Sequence, residues 1–341
     1  MANTKLLDVA RHANVSPATV SRVLNNTAPV NESTRARVLE AIITLGYKPT
    51  STPPAVNIDQ GTIALVITDI LNPFFPEIVR GVEDEAGTSG LALLLCNTSE
   101  DPQREAQALN VLAERRVDGI IVCASRIAHD QLIELHERNK TPMVVINRHL
   151  NHPEIPCILV DFENAMCRAV QHLLRLNHTR IAYLAGHWDT APSLARRKGI
   201  EQTLREANLT LRPEWCPTSF PNVDGGFQAM SSLLALPRDE QPTAVIAYND
   251  IMALGALNAI RTHSLRVPDN ISVVGCDGIA MAAHTNPPLT TIEQPKYRMG
   301  QLAMQMLRQI MEGRYTPRHG YTLMESPLIM RESTGPVNAL A

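Results

Sequence analysis

Val15-Ser16-Pro17-Ala18-Thr19-Val20-Ser21-Arg22-Val23-Leu24-Asn25 reads as a helix that starts abruptly, packs one face and offers the other. Ser16 is placed to cap the free amides of the first turn. Pro17 takes the first helical position, where a missing N–H costs nothing. Val20, Val23 and Leu24 fall on the inward side, and Pro17, Ala18, Ser21, Arg22 and Asn25 on or near the other. Upstream, Leu6, Val9, Ala10 and Ala13 follow the i, i+3, i+4, i+7 rhythm of a short amphipathic helix with Asp8, Arg11 and His12 outside. Between the two, Asn14 stands where the chain turns sharply, a residue that tolerates a left-handed backbone. A third helix is predicted after Asn31, with Val38, Ala41, Ile42 and Leu45 inward and Gly46 as its stop. Three short helices in this spacing form a helix-turn-helix headpiece.

Residues 1–48 carry six basic side chains (Lys5, Arg11, Arg22, Arg35, Arg37, Lys48) against Asp8, Glu32 and Glu40, a net +3. The whole chain is −3, which leaves −6 for the remainder. A positive head on an acidic body suits phosphate contact by the head alone. A three-helix bundle used for protein contact is the other reading of the spacing.

The 341 residues, 44 % of them hydrophobic, are too many for the head alone and predict a larger body with substantial cores. No apolar run reaches eighteen residues and no charged-then-apolar leader opens the chain, so a cytoplasmic protein is expected. The six cysteines are isolated in the sequence, several within apolar runs such as Leu93-Leu94-Leu95-Cys96, and read as small buried hydrophobes rather than a disulfide frame. His149 with His152, and Cys167 with His172, come nearest to ligand spacing, but neither completes a metal site. No cofactor is expected. There is no G-x-S-x-G, no Walker A loop and no G-x-G-x-x-G after a strand, so binding without turnover is predicted.

The body alternates strand and helix. Thr62 to Thr68, Leu91 to Cys96, Gly119 to Cys123, Met143 to Ile146 and Cys157 to Val160 are apolar runs short enough for buried parallel strands. Helical stretches such as Glu77 to Ala86 and Arg104 to Arg115 separate most of them. A second series has Arg180 to Leu184, Ala244 to Tyr248 and Ile271 to Cys276 as strands and Asp250 to Thr262 as a helix, so two α/β lobes are predicted. Ligands of such sheets collect beyond the carboxyl ends of strands. There the sequence places Asp69 with Asn72-Pro73-Phe74-Phe75, then Arg148, Asp161, Asn249 with Asp250, and Asp277. Carboxylates, amides and aromatic faces in that mixture suit a polyhydroxylated ring.

Leu7-Asp8-Val9-Ala10, Val15-Ser16, Ala18 through Asn25 and Leu45-Gly46-Tyr47-Lys48-Pro49 resemble the headpiece signature of the LacI/GalR family of bacterial transcription regulators. Asn72-Pro73-Phe74-Phe75, Arg116 through Ile121, His178 through Ala182 and Pro287 through Ile292 resemble the family's sensor domain in the same order. The resemblance covers nearly the whole chain. It implies an all-α helix-turn-helix headpiece (1–48), a hinge (49–60) and an effector-binding α/β sensor (61–341) of two doubly wound parallel-sheet lobes, like periplasmic binding proteins. The first lobe would hold about 61–161 and 292–323, the second about 162–290 and 325–341. Crossings would fall near Asp161, Leu289 to Ile292 and Leu323 to Pro327.

Carried over by position, the resemblance implies effector contacts at Phe74, Phe75, Arg148, Asp161, Arg196, Phe220, Asn249, Asp277 and Gln294. It implies DNA contacts at Leu7, Ser16, Pro17, Ala18, Thr19, Ser21, Arg22, Asn25 and Val56. Arg22 is the candidate for bidentate reading of guanine; Pro17 and Ala18 offer only apolar contacts, such as to a thymine methyl. Relatives usually carry a hinge Leu that wedges into the minor groove. Here Val56 holds that position, shorter and β-branched, and Pro53 and Pro54 shorten any hinge helix. The expected partners are double-stranded operator DNA, a small effector (sugar, sugar acid or nucleoside class) and a second copy of the chain, with no membrane. The expected function is a ligand-responsive regulator acting as a repressor. A transport-type sugar-binding protein would share the body but have no basic head. The last residues show no heptads, so no tetramer built on a C-terminal coiled coil is expected.

Overall fold

The computed structural model describes residues 6–25, 30–45, 61–318 and 320–337, with the side chains of Ala18, Ser21, Leu24, Asn25, Glu32 and Ile43 left aside. Gly46 and the hinge, including Pro53, Pro54 and Val56, lie outside the described residues. The chain divides into two compact units, with the boundary between Ile58 and Asp59.

In the first unit, α1 (Leu6–His12), α2 (Pro17–Asn25) and α3 (Glu32–Thr44) form where the pattern places them. The Ser16 hydroxyl accepts from the Thr19 amide at 3.2 Å, and Asn14 turns the chain with φ 51°. Asn31 Oδ1 takes the Ser33 amide at 3.0 Å at the start of α3. Val9, Ala10, Ala13, Val20, Val23, Val38 and Ala41 form the core. Three of these seven are alanine and the other four valine, so the three helices approach closely in a unit too small for a deep interior.

The second unit contains two six-stranded sheets. The first holds β1 (Thr62–Ile67), β2 (Ala92–Asn97), β3 (Gly119–Cys123), β4 (Met143–Ile146), β5 (Cys157–Val160) and β11 (Tyr321–Met324), in the order β11-β5-β4-β3-β1-β2, all parallel. Along β1, Ile63, Leu65 and Ile67 face one core while Ala64 and Val66 face another. That alternation buries both faces, as the unbroken apolar run requires. Helices α4 (Phe74–Gly87) and α11 (Lys296–Met311) cover one side; α5 (Pro102–Glu114) and α6 (His129–Asn139) supply Leu109, Leu112, Leu132 and Leu135 to the other. The second sheet holds β6 (Ile181–Gly186), β7 (Thr218–Ser219), β8 (Ala244–Ala247), β9 (Ser272–Asp277), β10 (Thr290–Glu293) and β12 (Leu328–Ile329), in the order β12-β10-β9-β8-β6-β7, with β12 antiparallel. Helices α7 (Phe162–Arg175) and α8 (Ala191–Glu206) pack together, as do α9 (Val223–Leu234) and α10 (Asp250–Thr262).

Three expectations need correction. The run Leu91 to Cys96 is not a buried strand: β2 has only β1 beside it, and Leu94 and Leu95 are 43 % and 38 % exposed. Leu289 to Ile292 is not the second crossing. Thr290–Glu293 pairs with β9 and β12 and so completes the second sheet, and the chain returns to the first lobe at Gln294-Pro295. The other two passages lie at Asp161, between β5 and α7, and at residues 325–327, between β11 and β12. Finally, all six cysteines are free, but only Cys123, Cys157 and Cys276 are buried; Cys96, Cys167 and Cys216 are partly exposed.

Two glycines fix the helix that carries the Phe pair. A Cβ at Gly81 on α4 would sit 2.2 Å from the Tyr297 carbonyl oxygen, and one at Gly300 on α11 would sit 2.2 Å from that of Ile78. The two helix backbones therefore touch, and α11, which begins just after a crossing, locks α4 in place.

Candidate effector cleft

Between the lobes lies a cleft of about 380 Å³, built from the loops at the carboxyl ends of the strands. Four of those ends carry a non-glycine residue in the left-handed region that lines the cleft: Glu100 (φ 60°) after β2, Ala124 (φ 57°) after β3, Asn147 (φ 59°) after β4, and Asp277 (φ 130°) at the end of β9. Such backbone is strained and persists only where the surroundings hold it. At Asp277 the hold is visible. Lys296 Nζ donates to the Asp277 and Gly278 carbonyls at 2.9 and 2.8 Å, and Gln294 Nε2 donates to Asp277 Oδ1 at 2.6 Å.

Arg196, on the first turns of α8, is 4 % exposed. Its guanidinium lies 3.6 Å from the Phe162 ring centroid and 4.5 Å from that of Tyr248, a cation sandwiched between two aromatic faces. One Nη donates to the Pro192 carbonyl at 3.2 Å, whereas Nε is buried with no hydrogen-bond partner. On the opposite wall, Arg148 donates through Nη1 to the Ile127 carbonyl and to Ser125 Oγ at 3.3 Å. Arg126 is chelated by Glu100, Nε to Oε2 at 2.5 Å and Nη2 to Oε1 at 3.2 Å, and its guanidinium stands 5.9 Å from the Trp188 ring centroid of the other lobe. Phe74 and Phe75 meet edge to face with centroids 5.1 Å apart, both buried at the start of α4.

Burial pushes the Asp277 carboxyl up to about 8, and the nearby charge of Asp250 adds to the rise. Asp250 is fully buried and accepts from Thr291 Oγ1 at 2.5 Å and the Ile279 amide at 2.8 Å. Burial raises it to about 6. Arg196, Lys296 and Gln294 also face Asp277 and pull the other way. Both folded carboxyls thus sit above the ordinary value of 3.8. The stability they contribute is fully present below pH 4 and is lost as pH rises through about 6 and then about 8. The ligand-free chain should melt at progressively lower temperature from pH 5 to pH 8.5, with a shallower slope for Asp277→Asn. Identical slopes for the two proteins would contradict the assignment.

Of the expected effector contacts, Phe74, Phe75, Arg148, Arg196, Asn249, Asp277 and Gln294 line the cleft. Asn249 also caps α10, accepting the Met252 amide at 2.9 Å. Two expected contacts do not line it. Asp161 is occupied at the N-terminus of α7, taking the Asn164 amide at 3.1 Å and its side-chain amide at 2.6 Å, and Phe162 faces the cleft instead. Phe220 is 43 % exposed, outside the lining, where Pro221 stands in its place. Residues not anticipated include Phe162, Tyr248, Trp188, Asn147 and the Glu100–Arg126 pair. Among the described residues, no three His, Cys, Asp or Glu side chains are grouped to hold a metal ion, and no helix is long and apolar enough to cross a membrane.

Residues 5–50 match the family model described as bacterial regulatory proteins, lacI family, and residues 170–334 match that of a periplasmic binding protein-like domain. The HTH-type transcriptional repressor PurR of Aliivibrio fischeri (strain ATCC 700601 / ES114) is 37 % identical over 328 residues, spanning 96 % of this chain and 97 % of that protein. The chain belongs to the lacI family. A second lacI-family relative, the HTH-type transcriptional repressor CytR of Escherichia coli K12, is 36 % identical over 330 residues, 96 % of this chain and 95 % of that one. Among solved structures, the transcriptional regulator CelR in complex with cellobiose superposes with TM-score 0.72 at 30 % identity, covering 97 % of this chain and 99 % of that one. The lac repressor dimer bound to operator and the anti-inducer ONPF gives 0.71 at 27 % identity, covering 98 % and 100 %. PurR, CytR and the lac protein are repressors and CelR is a transcriptional regulator, and lacI-family membership sets this chain among regulators rather than enzymes.

Proposed function

We propose that this chain is an effector-controlled transcriptional repressor. It acts as a homodimer whose headpieces enter successive major grooves of a pseudo-palindromic operator. A sugar or sugar derivative, with a nucleoside or purine as the next class, occupies the cleft. The observation that carries the effector reading is Arg196: a buried guanidinium clamped by Phe162 and Tyr248, with an unpartnered Nε beside the strained, hydrogen-bonded Asp277. Arg196 and Asp277 both line the cleft, where charged and polar groups held in place by their surroundings fix a ligand's orientation. A sugar hydroxyl pair, or a base edge, accepts from the arginine and shares protons with the carboxyl, while the aromatic faces cover the ring. Ligand bound across both lobes would set their angle, and through it the separation of the two headpieces in the dimer.

On the headpiece, Leu7, Pro17 and Arg22 are exposed, and Thr19 is partly so. Ser16 is exposed too, although its hydroxyl is engaged as the cap of α2. Arg22 supports direct base reading, and Ser16 and Thr19 support phosphate contact or packing. Ala18, Ser21 and Asn25 share this proposed surface by sequence position, with side chains outside those described. The helix-turn-helix unit and its lacI-family match weigh against the transport-type alternative.

The reading is tested by selecting operator sequences from random duplex DNA with the full chain, then repeating the gel shift with sugars, sugar acids and nucleosides. A palindromic consensus whose affinity responds to one of these classes supports it. A chain that selects no sequence refutes it. At the hinge, Val56→Leu adds one methylene to a minor-groove wedge, about 0.8 kcal/mol or roughly fourfold in operator affinity per subunit. No tightening in the same gel shift would exclude a wedge role.

A further inference from the structure

We propose that Arg126 of the first lobe and Trp188 of the second form a clasp that holds the two lobes together across the cleft, so that opening it means parting a cation from an indole face. This rests on the reading of the cleft as the effector site and adds what restrains access to it. One half of the clasp is fixed. The Arg126 guanidinium is gripped by both oxygens of Glu100, with each of the two side chains less than a tenth exposed. Its backbone N–H donates to Oε2 of the buried Glu105 at 2.7 Å, from the first turn of α5. Glu100 is itself held in the left-handed region, where its amide donates to the Thr68 carbonyl at 2.8 Å. Hydrogen bonds engage a guanidinium in its plane, so its faces still take an aromatic ring.

The other half is held by rings. Trp188 stands between the end of β6 and Thr190, which caps α8. Its ring centroid lies 5.9 Å from the Arg126 guanidinium and 5.2 Å from the His187 ring, and its Nε1–H is buried with no hydrogen-bond partner. Tryptophan is the aromatic side chain that attracts a cation best. The place of the pair in the fold gives it leverage. The chain crosses between lobes after β5, β10 and β11, and the bonds of Lys296 to the Asp277 and Gly278 carbonyls sit at the second of these crossings. Arg126 follows β3, two strands from β5 and three from β11; Trp188 follows β6, three strands from β10 and four from β12. A contact at a crossing restrains the angle between lobes little, and one several strands away restrains it through a longer arm. A partly desolvated cation on an indole shifts such an opening equilibrium by roughly five- to thirtyfold.

The test is the distance between genetically encoded spin labels at the exposed positions Glu134 on α6 and Gln202 on α8, measured by pulsed electron resonance on the full chain without added ligand. Trp188→Leu keeps an apolar side chain and removes the ring, and should raise the open population about fivefold or more. Trp188→Phe, whose ring attracts a cation less, should fall between Leu and wild type. Apolar packing alone would make the Phe and Leu variants alike. Replacing Arg126 and Glu100 together by Gln removes the cation with its counter-charge. In that background Trp188→Leu should add nothing further, the signature of two groups that act only through each other. Melting temperatures show which variants are folded, and the Phe and Leu comparison stands if the double Gln variant is not. Unchanged distances in Trp188→Leu, equal opening in the Phe and Leu variants, or an undiminished effect of Trp188→Leu in the double Gln background would each overturn the inference. Gel shifts of the same variants on the duplex that wild type selects separate it from the reading it rests on. An opened cleft with altered operator affinity supports both, whereas an opened cleft with unaltered affinity supports the clasp and refutes control of the headpieces by lobe angle.

Discussion

Arg196→Ala is expected to lower effector affinity by at least about a hundredfold while leaving effector-free operator affinity nearly unchanged. A hydrogen bond to a charged group contributes about 1.5–3 kcal/mol. Two such bonds from one guanidinium reach about 3 kcal/mol, roughly a factor of a hundred. Packing alone would predict a different result. The side chain fills the space between Phe162 and Tyr248, so alanine also leaves a void and costs stability. Arg196→Met keeps most of that volume without the charge. If binding is lost in both variants while melting falls mainly in the alanine variant, the guanidinium is a ligand contact. If Arg196→Met binds effector like wild type, it is a core residue. Calorimetric titration beside thermal melts reads both quantities.

Arg22→Ala should weaken operator binding by about 1–3 kcal/mol per half-site, the value of a good bidentate base contact, and relax sequence preference at one base pair in each half. The side chain is exposed on α2, away from the Val20 and Val23 core, so melting should shift little. Pro17 has no hydrogen-bonding side chain, which concentrates direct readout on Arg22. A uniform loss across all operator variants, with the preference unchanged, would mark Arg22 as a phosphate contact instead.

Much of this architecture is legible in the residues because the relevant signals are local. Ser16-Pro17 announces the start of α2, and the runs Gly119 to Cys123, Met143 to Ile146 and Cys157 to Val160 coincide with β3, β4 and β5. Solvent exposure is not local. Leu91 to Cys96 is as unbroken an apolar run as the central strands, and its terminal position in the sheet leaves Leu94 and Leu95 half exposed. The second crossing came out late for a related reason, since whether Thr290–Glu293 ends one lobe or begins the other depends on which strands it pairs with.

The cleft shows the same division. Looking beyond strand ends finds Arg148, Asn249 and Asp277, but it resolves position only to a residue or so. Asp161 and Phe162 are adjacent and point differently, because one caps the helix that the other begins. Tyr248 reads as the last apolar residue of a strand, yet its ring forms one wall of the Arg196 sandwich. The Glu100–Arg126 pair joins two loops 26 residues apart, and nothing in either segment announces it. Trp188 did leave a signal: it is one of only two tryptophans and stands two residues beyond the end of β6.

The central claim is that occupancy of the cleft controls the headpiece. Its most direct measurement is the operator affinity of the full chain, with and without a cleft ligand that stabilises wild type but not Arg196→Ala. Wild type should change its affinity by at least about tenfold, a coupling of about 1.4 kcal/mol, and Arg196→Ala should not respond. A ligand that binds the cleft while operator affinity stays constant would contradict the account.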